Sequence, residues 1–269
     1  MSGLFKYELR KLSKSKLFYI CLGVLFALSL LSIAIDLLMS IAMEDIELSA
    51  SASDYFSETA ISFLVERTNI SVIASAINSS SLTMVAAIFI VLFVSEDYRN
   101  GAIKNVYGRG NSRANVFIAK YLVSLLAVLL MAFFVIIIST VMGVATFKHV
   151  SMPSNFIYNI FVQLLTVCAY HAIFFMLTIV LTKIGLAIVA AILGPSLITL
   201  VVAFTDAAIS SSSPSTDIEL SKYVFTNFCS RLSIVSIPTS EISIMLVIVI
   251  LITALFAGLS YYFLEKRDV

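Results

Sequence analysis

Long apolar runs separated by short polar segments dominate the sequence. The hydrocarbon core of a bilayer is about 30 Å thick, and a helix needs about 20 apolar residues to cross it. Runs of that length lie at about 17–39, 70–95, 121–146, 156–182, 185–205 and 242–263. They are continuously apolar and do not alternate with period two, which excludes a closed barrel of strands. The pattern predicts an all-α integral membrane protein with six transmembrane helices in a single domain, residues 1–269.

A short amphipathic segment precedes the first span. Three apolar side chains recur at helical spacing over residues 3–16, while three cations take another face: Phe5, Leu9 and Leu12 against Lys6, Arg10 and Lys14. This pattern predicts an interfacial helix whose cations lie toward lipid headgroups. The alternative is a charged lead-in with no structure of its own.

Composition and charge distribution set the orientation. The chain is 60% hydrophobic and 12% charged, whereas soluble domains carry about 25% charged residues. Most Lys and Arg residues fall in the N-terminal segment, in the links after spans two and four, and at the C-terminus; the other side has Arg67, Lys148, Lys222 and Arg231. Because cytoplasmic loops are enriched in Lys and Arg, both termini are predicted to be cytoplasmic.

Two segments on the predicted outer side have unusual character. Residues 40–69 are long and acidic, which indicates either a surface that attracts cations or only a solvated face. Residues 206–241 open with a serine run and then become semi-apolar, which predicts a short helix at the outer leaflet. In span five, Gly194-Pro195 predicts a kink, because proline removes a helix hydrogen bond.

Polar residues inside the spans are the candidates for a pathway. Ser71, Ser75 and Asn78 share one helix face in span two, and such small polar residues either allow close packing or line a wet path. His171 lies near the middle of span four. An ionisable group at that depth is a functional candidate, although a neutral histidine hydrogen-bonded to a neighbouring helix is the plainer interpretation.

A basic, glycine-punctuated loop follows span two. Its candidate site residues are Glu96, Arg99, Gly101, Lys104, Arg109, Ser112 and Arg113. Glycines permit sharp turns around a short helix begun near Tyr98, and the cations could meet an acidic partner. The alternative is that they only enforce topology and bind anionic lipid headgroups.

Sequence motifs for catalysis or metal binding are absent. There is no Gly-x-x-x-x-Gly-Lys-Ser/Thr, so the chain cannot cradle ATP phosphates by the P-loop route, and no His-Glu-x-x-His or Cys-x-x-Cys occurs. The three cysteines are widely spaced and form neither a disulfide framework nor a metal cluster. We therefore predict no enzymatic activity and no cofactor in this chain.

The order of these parts resembles the membrane subunits of ABC-2 type (type-2) ABC exporters, bacterial permeases that include bacteriocin- and lantibiotic-resistance transporters. The segment from Glu96 to Lys104 is similar to that family's Glu-x-x-x-x-Gly-Thr-Ile-Lys loop, with Ala102 in place of Thr. Ser112-Arg113 and Lys120 are similar to its later Ser-Arg…Lys. The family's loop commonly has Pro before the Ser-Arg pair, where this chain has Gly110-Asn111.

The resemblance implies a half-transporter in the bacterial plasma membrane. Two permease chains, identical or related, would bind two ATP-binding subunits that carry ATP and Mg, and the basic loop and interfacial helix would dock on those subunits. The resemblance also implies export of a peptide or lipophilic antimicrobial. Two other classes stay open: a secondary transporter or channel-like protein that needs no ATPase, and a membrane sensor or scaffold that moves no substrate.

Overall fold

The computed structural model describes residues 2–47, 69–77, 79–108, 110–147, 154–181, 183–212 and 239–266. Over those ranges the regular structure is helical and contains no strand. The helices are α1 (Ser2–Lys14), α2 (Lys16–Glu47), α3 (Asn69–Ile77), α4 (Ser80–Arg99), α5 (Ala102–Gly108), α6 (Arg113–Thr146), α7 (Phe156–Val180), α8 (Ile184–Ser212) and α9 (Thr239–Lys266).

Within the described ranges, six helical stretches are long and apolar enough to cross a membrane, which agrees with the predicted number. They are Lys16–Leu38, Ile70–Arg99, Arg113–Thr146, Phe156–Val180, Ile184–Thr205 and Ile242–Lys266. The second stretch consists of α3 and α4 together. Large apolar side chains are exposed along α2, α8 and α9, for example Leu38, Phe204 and Leu251. Such a surface fits a multi-pass membrane protein, because soluble proteins rarely expose apolar patches of this extent to water.

Span two is divided near its predicted outer end. Ser79 has extended backbone (φ −62°, ψ 138°), and its Oγ accepts a hydrogen bond from the Leu82 backbone N–H at 3.3 Å. Serine is a favoured N-cap because its side chain satisfies one of the free N–H groups at a helix start. The cap starts α4 as a new helix after α3, a division that the sequence analysis did not predict.

Helix α4 lies at the centre of the bundle and packs against α2, α6, α7 and α8. Its Phe89 and Phe93 are almost fully buried and their rings stack at a centroid distance of 5.3 Å. Within the described chain, 59% of the most apolar part of span two is buried, against 11% of span five. Span two therefore belongs to the buried centre of the bundle, together with spans three and four, of which 50% is buried.

Several boundaries differ from the prediction. Helix α6 begins at Arg113, two turns before the predicted span, because Ser112 caps it by accepting from the Asn115 N–H at 3.3 Å. The short helix of the basic loop begins at Ala102, not near Tyr98. In α1, Leu12 is buried while Phe5 and Leu9 are exposed.

Parts of the sequence predictions fall on residues outside the described ranges. Most of the acidic segment 40–69 and of the semi-apolar segment 206–241 is among them, and so are the whole residues Asn78 and Arg109. Pro195 lies inside the continuous helix α8.

Candidate functional site

Five charged side chains from three helices meet where α1 crosses the ends of α4 and α6. We call them the charge cluster: Glu8 and Lys11 from α1, Glu96 and Asp97 from α4, and Lys120 from α6. On α1, Glu8 and Lys11 are three residues apart and lie beside the buried Leu12. This spacing puts all three on one helix face, which packs against α6.

Asp97 is the centre of the cluster. Its Oδ1 accepts a hydrogen bond from the Lys11 ammonium, and its Oδ2 accepts one from the Lys120 ammonium. Lys120 also lies 3.3 Å from Glu8 Oε1, and Lys11 lies 3.1 Å from Glu96 Oε2. One carboxylate thus joins α1, α4 and α6 through two bridging cations.

The inner members of the cluster are shielded from solvent. Lys120 is 2% exposed, Glu8 is 3% exposed and Asp97 is 8% exposed. Removing one partner of a buried ion pair costs about 3–5 kcal/mol, since the remaining charge is left without compensation. By contrast, Glu96 has a side chain that is 50% exposed, so its pair with Lys11 contributes little, typically below about 1 kcal/mol.

Lys11 stays charged in this environment. Burial lowers the pKa of its ammonium, but the hydrogen bond and negative charge of Asp97, together with Glu96, outweigh it and raise the pKa above the ordinary 10.5. A raised pKa means that the contribution of Lys11 to stability is complete at neutral pH and is lost only as pH rises past that range. The Phe93 ring lies 5.0 Å from its Nζ and adds a cation–π contact.

The chain between the two cluster helices makes two tight turns around α5. Asn100 ends α4 by donating its backbone N–H to Glu96 O at 3.0 Å, and Gly101 follows with φ +66°. Gly110 has φ +81°. Other residues rarely adopt these left-handed values, so glycine is needed at both turns. The short α5 is therefore held at each end by a helix of the charge cluster.

The described cations of the predicted loop lie on the surface near the turns that connect α4, α5 and α6. Arg99, Lys104 and Arg113 are exposed, and Arg113 donates from Nη1 to the Glu265 backbone carbonyl at 2.7 Å, which ties α6 to the end of α9. On α1, Lys6, Arg10 and Lys14 are exposed as well. The structure thus places these cations on the surface around the charge cluster, whereas Glu96 belongs to the cluster itself.

The sequence analysis did not single out Glu8, Lys11 or Asp97, and it took Lys120 only from the family resemblance. A signal was present. Glu96-Asp97 is an acidic pair in an otherwise basic loop, and Lys120 directly precedes an apolar run. A lysine that enters a span needs a carboxylate partner, and these acids are close to it in the sequence.

A crevice of about 390 Å³ lies at the other end of span two, between α2, the α3–α4 break and α6. We call it the serine crevice, because hydroxyls line much of it: Ser29, Ser32, Ser75, Ser79, Ser80, Ser81 and Ser139. Apolar side chains such as Leu28 and Val135 and one acidic residue, Asp36, complete the wall. Non-helical backbone at membrane depth is tolerated where it lines a cavity, and Ser79 meets that condition. Of the predicted polar face, Ser75 lines the crevice, whereas Ser71 does not.

A second crevice of about 340 Å³ adjoins the break from the other side, between α4, α7 and α8. Ser80 lines both crevices. This second crevice contains Pro195 and also Ala191, whose carbonyl cannot receive a hydrogen bond from the proline nitrogen. The two helix irregularities, in spans two and five, therefore border the same region.

His171 is fully buried between helices. Its Nε2 lies 2.8 Å from Ser124 Oγ of α6, and the Tyr121 ring meets it edge-on at 4.8 Å. It lines neither of the crevices at the break. In this arrangement the imidazole joins α6 and α7, which is the plainer of the two interpretations offered by the sequence.

Groups of His, Cys, Asp and Glu that could hold a metal ion are absent from the described residues. Comparison with models of known protein families and with curated protein sequences gave no match. The function must therefore be argued from the charge cluster, the exposed cations and the crevices.

The charge cluster predicts that neutralising Asp97 lowers the stability of the protein more than neutralising the adjacent Glu96. Asp97→Asn removes the charge that two ammonium groups share, so we expect it to destabilise the protein by about 3–5 kcal/mol and to loosen α1. Glu96→Gln is the matched control, and we expect it to cost less than about 1 kcal/mol. Thermal unfolding in detergent measures both. Equal stability of the two variants would contradict the role given to Asp97.

Proposed function

We propose that this chain is the membrane-spanning permease subunit of an ATP-driven exporter, and that a separate ATP-binding subunit drives it through the loop between spans two and three. The observation that carries the proposal is the charge cluster. It fastens α1 to both helices that flank α5, so a partner that pushes on this loop would move α1, α4 and α6 together. A loop with free ends would absorb the motion instead.

The exposed cations supply a docking surface of suitable charge. The surface contains Lys104 on α5 and Arg113 at the start of α6, so we expect the partner surface to be acidic. Long-range attraction between opposite charges would increase the rate at which the two subunits associate. ATP and Mg would be bound by the partner subunit. This chain would hold the docking loop in place and transmit its movement to the spans. We assign no catalytic residue to it.

The path for the substrate is proposed at the break in span two. Closure of the ATPases would tilt α4 as a body, because close-packed helices shift without deforming their cores. The serine crevice, with Ser75 in its wall, would open toward the interface with a second permease chain, identical or related. Its mixture of hydroxyls, apolar side chains and the acidic Asp36 suits an amphipathic peptide or a lipophilic antimicrobial. His171 lies outside this path.

The proposed location is the bacterial plasma membrane with both termini in the cytoplasm. In this orientation α1 lies in the inner interface, and the exposed Lys6, Arg10 and Lys14 are available to lipid or to the ATPase. The distribution of Lys and Arg along the chain supports this orientation.

A secondary transporter is the alternative class, and the break at Ser79 favours it. Such transporters bind substrate where transmembrane helices are discontinuous, with corresponding breaks in two repeated halves. Only span two is divided among the described spans, and Pro195 lies in a continuous helix. In this alternative an ion gradient would drive transport, and the charge cluster would have a purely structural role.

Docking predicts a local effect of charge reversal on the loop. We expect Lys104→Glu to reduce the amount of ATP-binding subunit recovered with the purified chain at least tenfold, which corresponds to about 1.4 kcal/mol. Lys183→Glu is the matched control, because Lys183 is exposed in another link predicted to be cytoplasmic. Co-purification from detergent measures both. Equal recovery with the two variants would contradict docking at α5.

The orientation predicts opposite accessibility of two exposed serines. In a background in which the native cysteines are replaced by alanine, we expect Ser154→Cys to react with a membrane-impermeant thiol reagent added to intact cells. Ser112→Cys should react only after the cells are opened. The reverse labelling pattern would place the termini on the outer side.

The pathway predicts that filling the serine crevice blocks transport. Ser75→Leu combined with Ser139→Leu places bulk on two walls, and we expect export to fall at least tenfold. The pair Ser75→Ala and Ser139→Ala keeps the space open and should retain most of the activity. Export by the leucine variant at the normal rate, with normal thermal stability, would remove the crevice from the path.

A further inference from the structure

A third crevice, of about 520 Å³, lies beside the charge cluster at the joint between α1 and α2. The end of α4 and the start of α8 complete its walls. In the proposed orientation this joint is at the cytoplasmic leaflet. We call it the basic crevice, because the charged side chains on its lining are mostly cations.

The cations of the basic crevice exceed its carboxylates. Lys11 and Glu96 line it, but they are paired with each other in the charge cluster. Lys14, Lys16 and Arg99 line it too, and none of these three forms an ion pair with any described residue. Three cations brought together by the fold repel one another, and the site therefore favours an anion that can compensate them.

Part of the crevice lining is apolar. It consists of Leu17, Leu92 and Ile184, which we call the apolar floor. Leu92 precedes Arg99 by seven residues of the same helix, so it lies about 10 Å deeper along the helix axis. The site therefore changes from cationic to apolar along the direction of the membrane normal.

We propose that the basic crevice binds an anionic phospholipid of the adjacent leaflet. Lys14, Lys16 and Arg99 hold the phosphate headgroup, and the acyl chain lies against Leu17, Leu92 and Ile184. An acidic protein segment would satisfy the cations and leave the apolar floor without a counterpart. Inorganic phosphate would do the same. The amphipathic lipid matches both parts of the site.

This inference does not rest on the proposed transport activity. The sequence analysis places Lys14 and Arg99 among the ATPase contacts. Here we propose instead that they bind the lipid headgroup. Lys104 and Arg113 do not line the crevice and keep their role in docking. A lipid held here would touch both α1 and α4, and would support the geometry that the charge cluster imposes.

The test compares two sets of substitutions with the same change in charge. The site variant combines Lys14→Gln, Lys16→Gln and Arg99→Gln. The control combines Lys6→Gln, Arg10→Gln and Lys104→Gln, which are exposed cations outside the crevice. Native mass spectrometry of the full chain in detergent, titrated with phosphatidylglycerol, measures the affinity for one bound lipid.

We expect the site variant to bind phosphatidylglycerol at least tenfold more weakly, and the control to stay within twofold of the unaltered chain. Since each hydrogen bond between a cation and the phosphate contributes about tenfold or more to binding, tenfold is a conservative threshold for the loss of three. Phosphatidylcholine should bind weakly to all three proteins. Equal losses in the site variant and the control would overturn the proposal, because they would show only diffuse attraction.

Two further experiments distinguish binding of a lipid from binding of another anion. Leu92→Gln leaves every cation in place, and we expect it to weaken phosphatidylglycerol binding at least fivefold. Inorganic phosphate and an acidic peptide should fail to displace the lipid at equal concentration. Displacement by either, or unchanged affinity of the Leu92→Gln variant, would overturn the lipid assignment. If the triple variant does not fold, the single variant Lys16→Gln is compared with the unaltered chain, and we expect its affinity for phosphatidylglycerol to fall about tenfold.

Discussion

A carboxylate buried at the end of a membrane-spanning helix must be compensated, because an isolated charge in that position is costly. Asp97 meets this requirement with two ammonium groups, Lys11 from α1 and Lys120 from α6. The same contacts fix where α1 lies and how α4 ends relative to α6. The turns at Gly101 and Gly110, and the short α5 between them, are therefore held between two anchored helices.

Span two connects this anchored end with a region of different character. Helix α4 is packed on several sides, with Phe89 and Phe93 stacked in the core next to the cation–π contacts of the charge cluster. At its other end the helix starts anew at Ser79, where the serine crevice opens. A rigid, central helix with charge at one end and a cavity at the other is suited to convert a push into an opening. That suitability, rather than any catalytic group, is the basis for the proposed permease function.

The sequence predicted the six spans because a run of about 20 apolar residues has few other stable outcomes. It could not predict the break in span two, since residues 70–95 are apolar enough for one continuous helix and only the local cap at Ser79 interrupts it. The cluster was missed for a different reason. Glu8 and Asp97 are far apart in the sequence, and only the packing of α1 against α6, with the ion pairs from Lys11 to the end of α4, brings them to one point. Conversely, Gly194-Pro195 is recognisable in the sequence, because proline lacks the backbone N–H, and Pro195 lies inside α8.

In the proposed function, this polypeptide is a gate moved by a separate ATP-hydrolysing subunit. Reconstitution of the purified chain in sealed liposomes, with a cationic antimicrobial peptide as the transported probe, tests it most directly. We expect no accumulation against a gradient until the ATP-binding subunit and ATP are both supplied, and none when ATP is replaced by a non-hydrolysable analogue. Full-rate uphill transport by the chain alone, driven by an ion gradient, would contradict it.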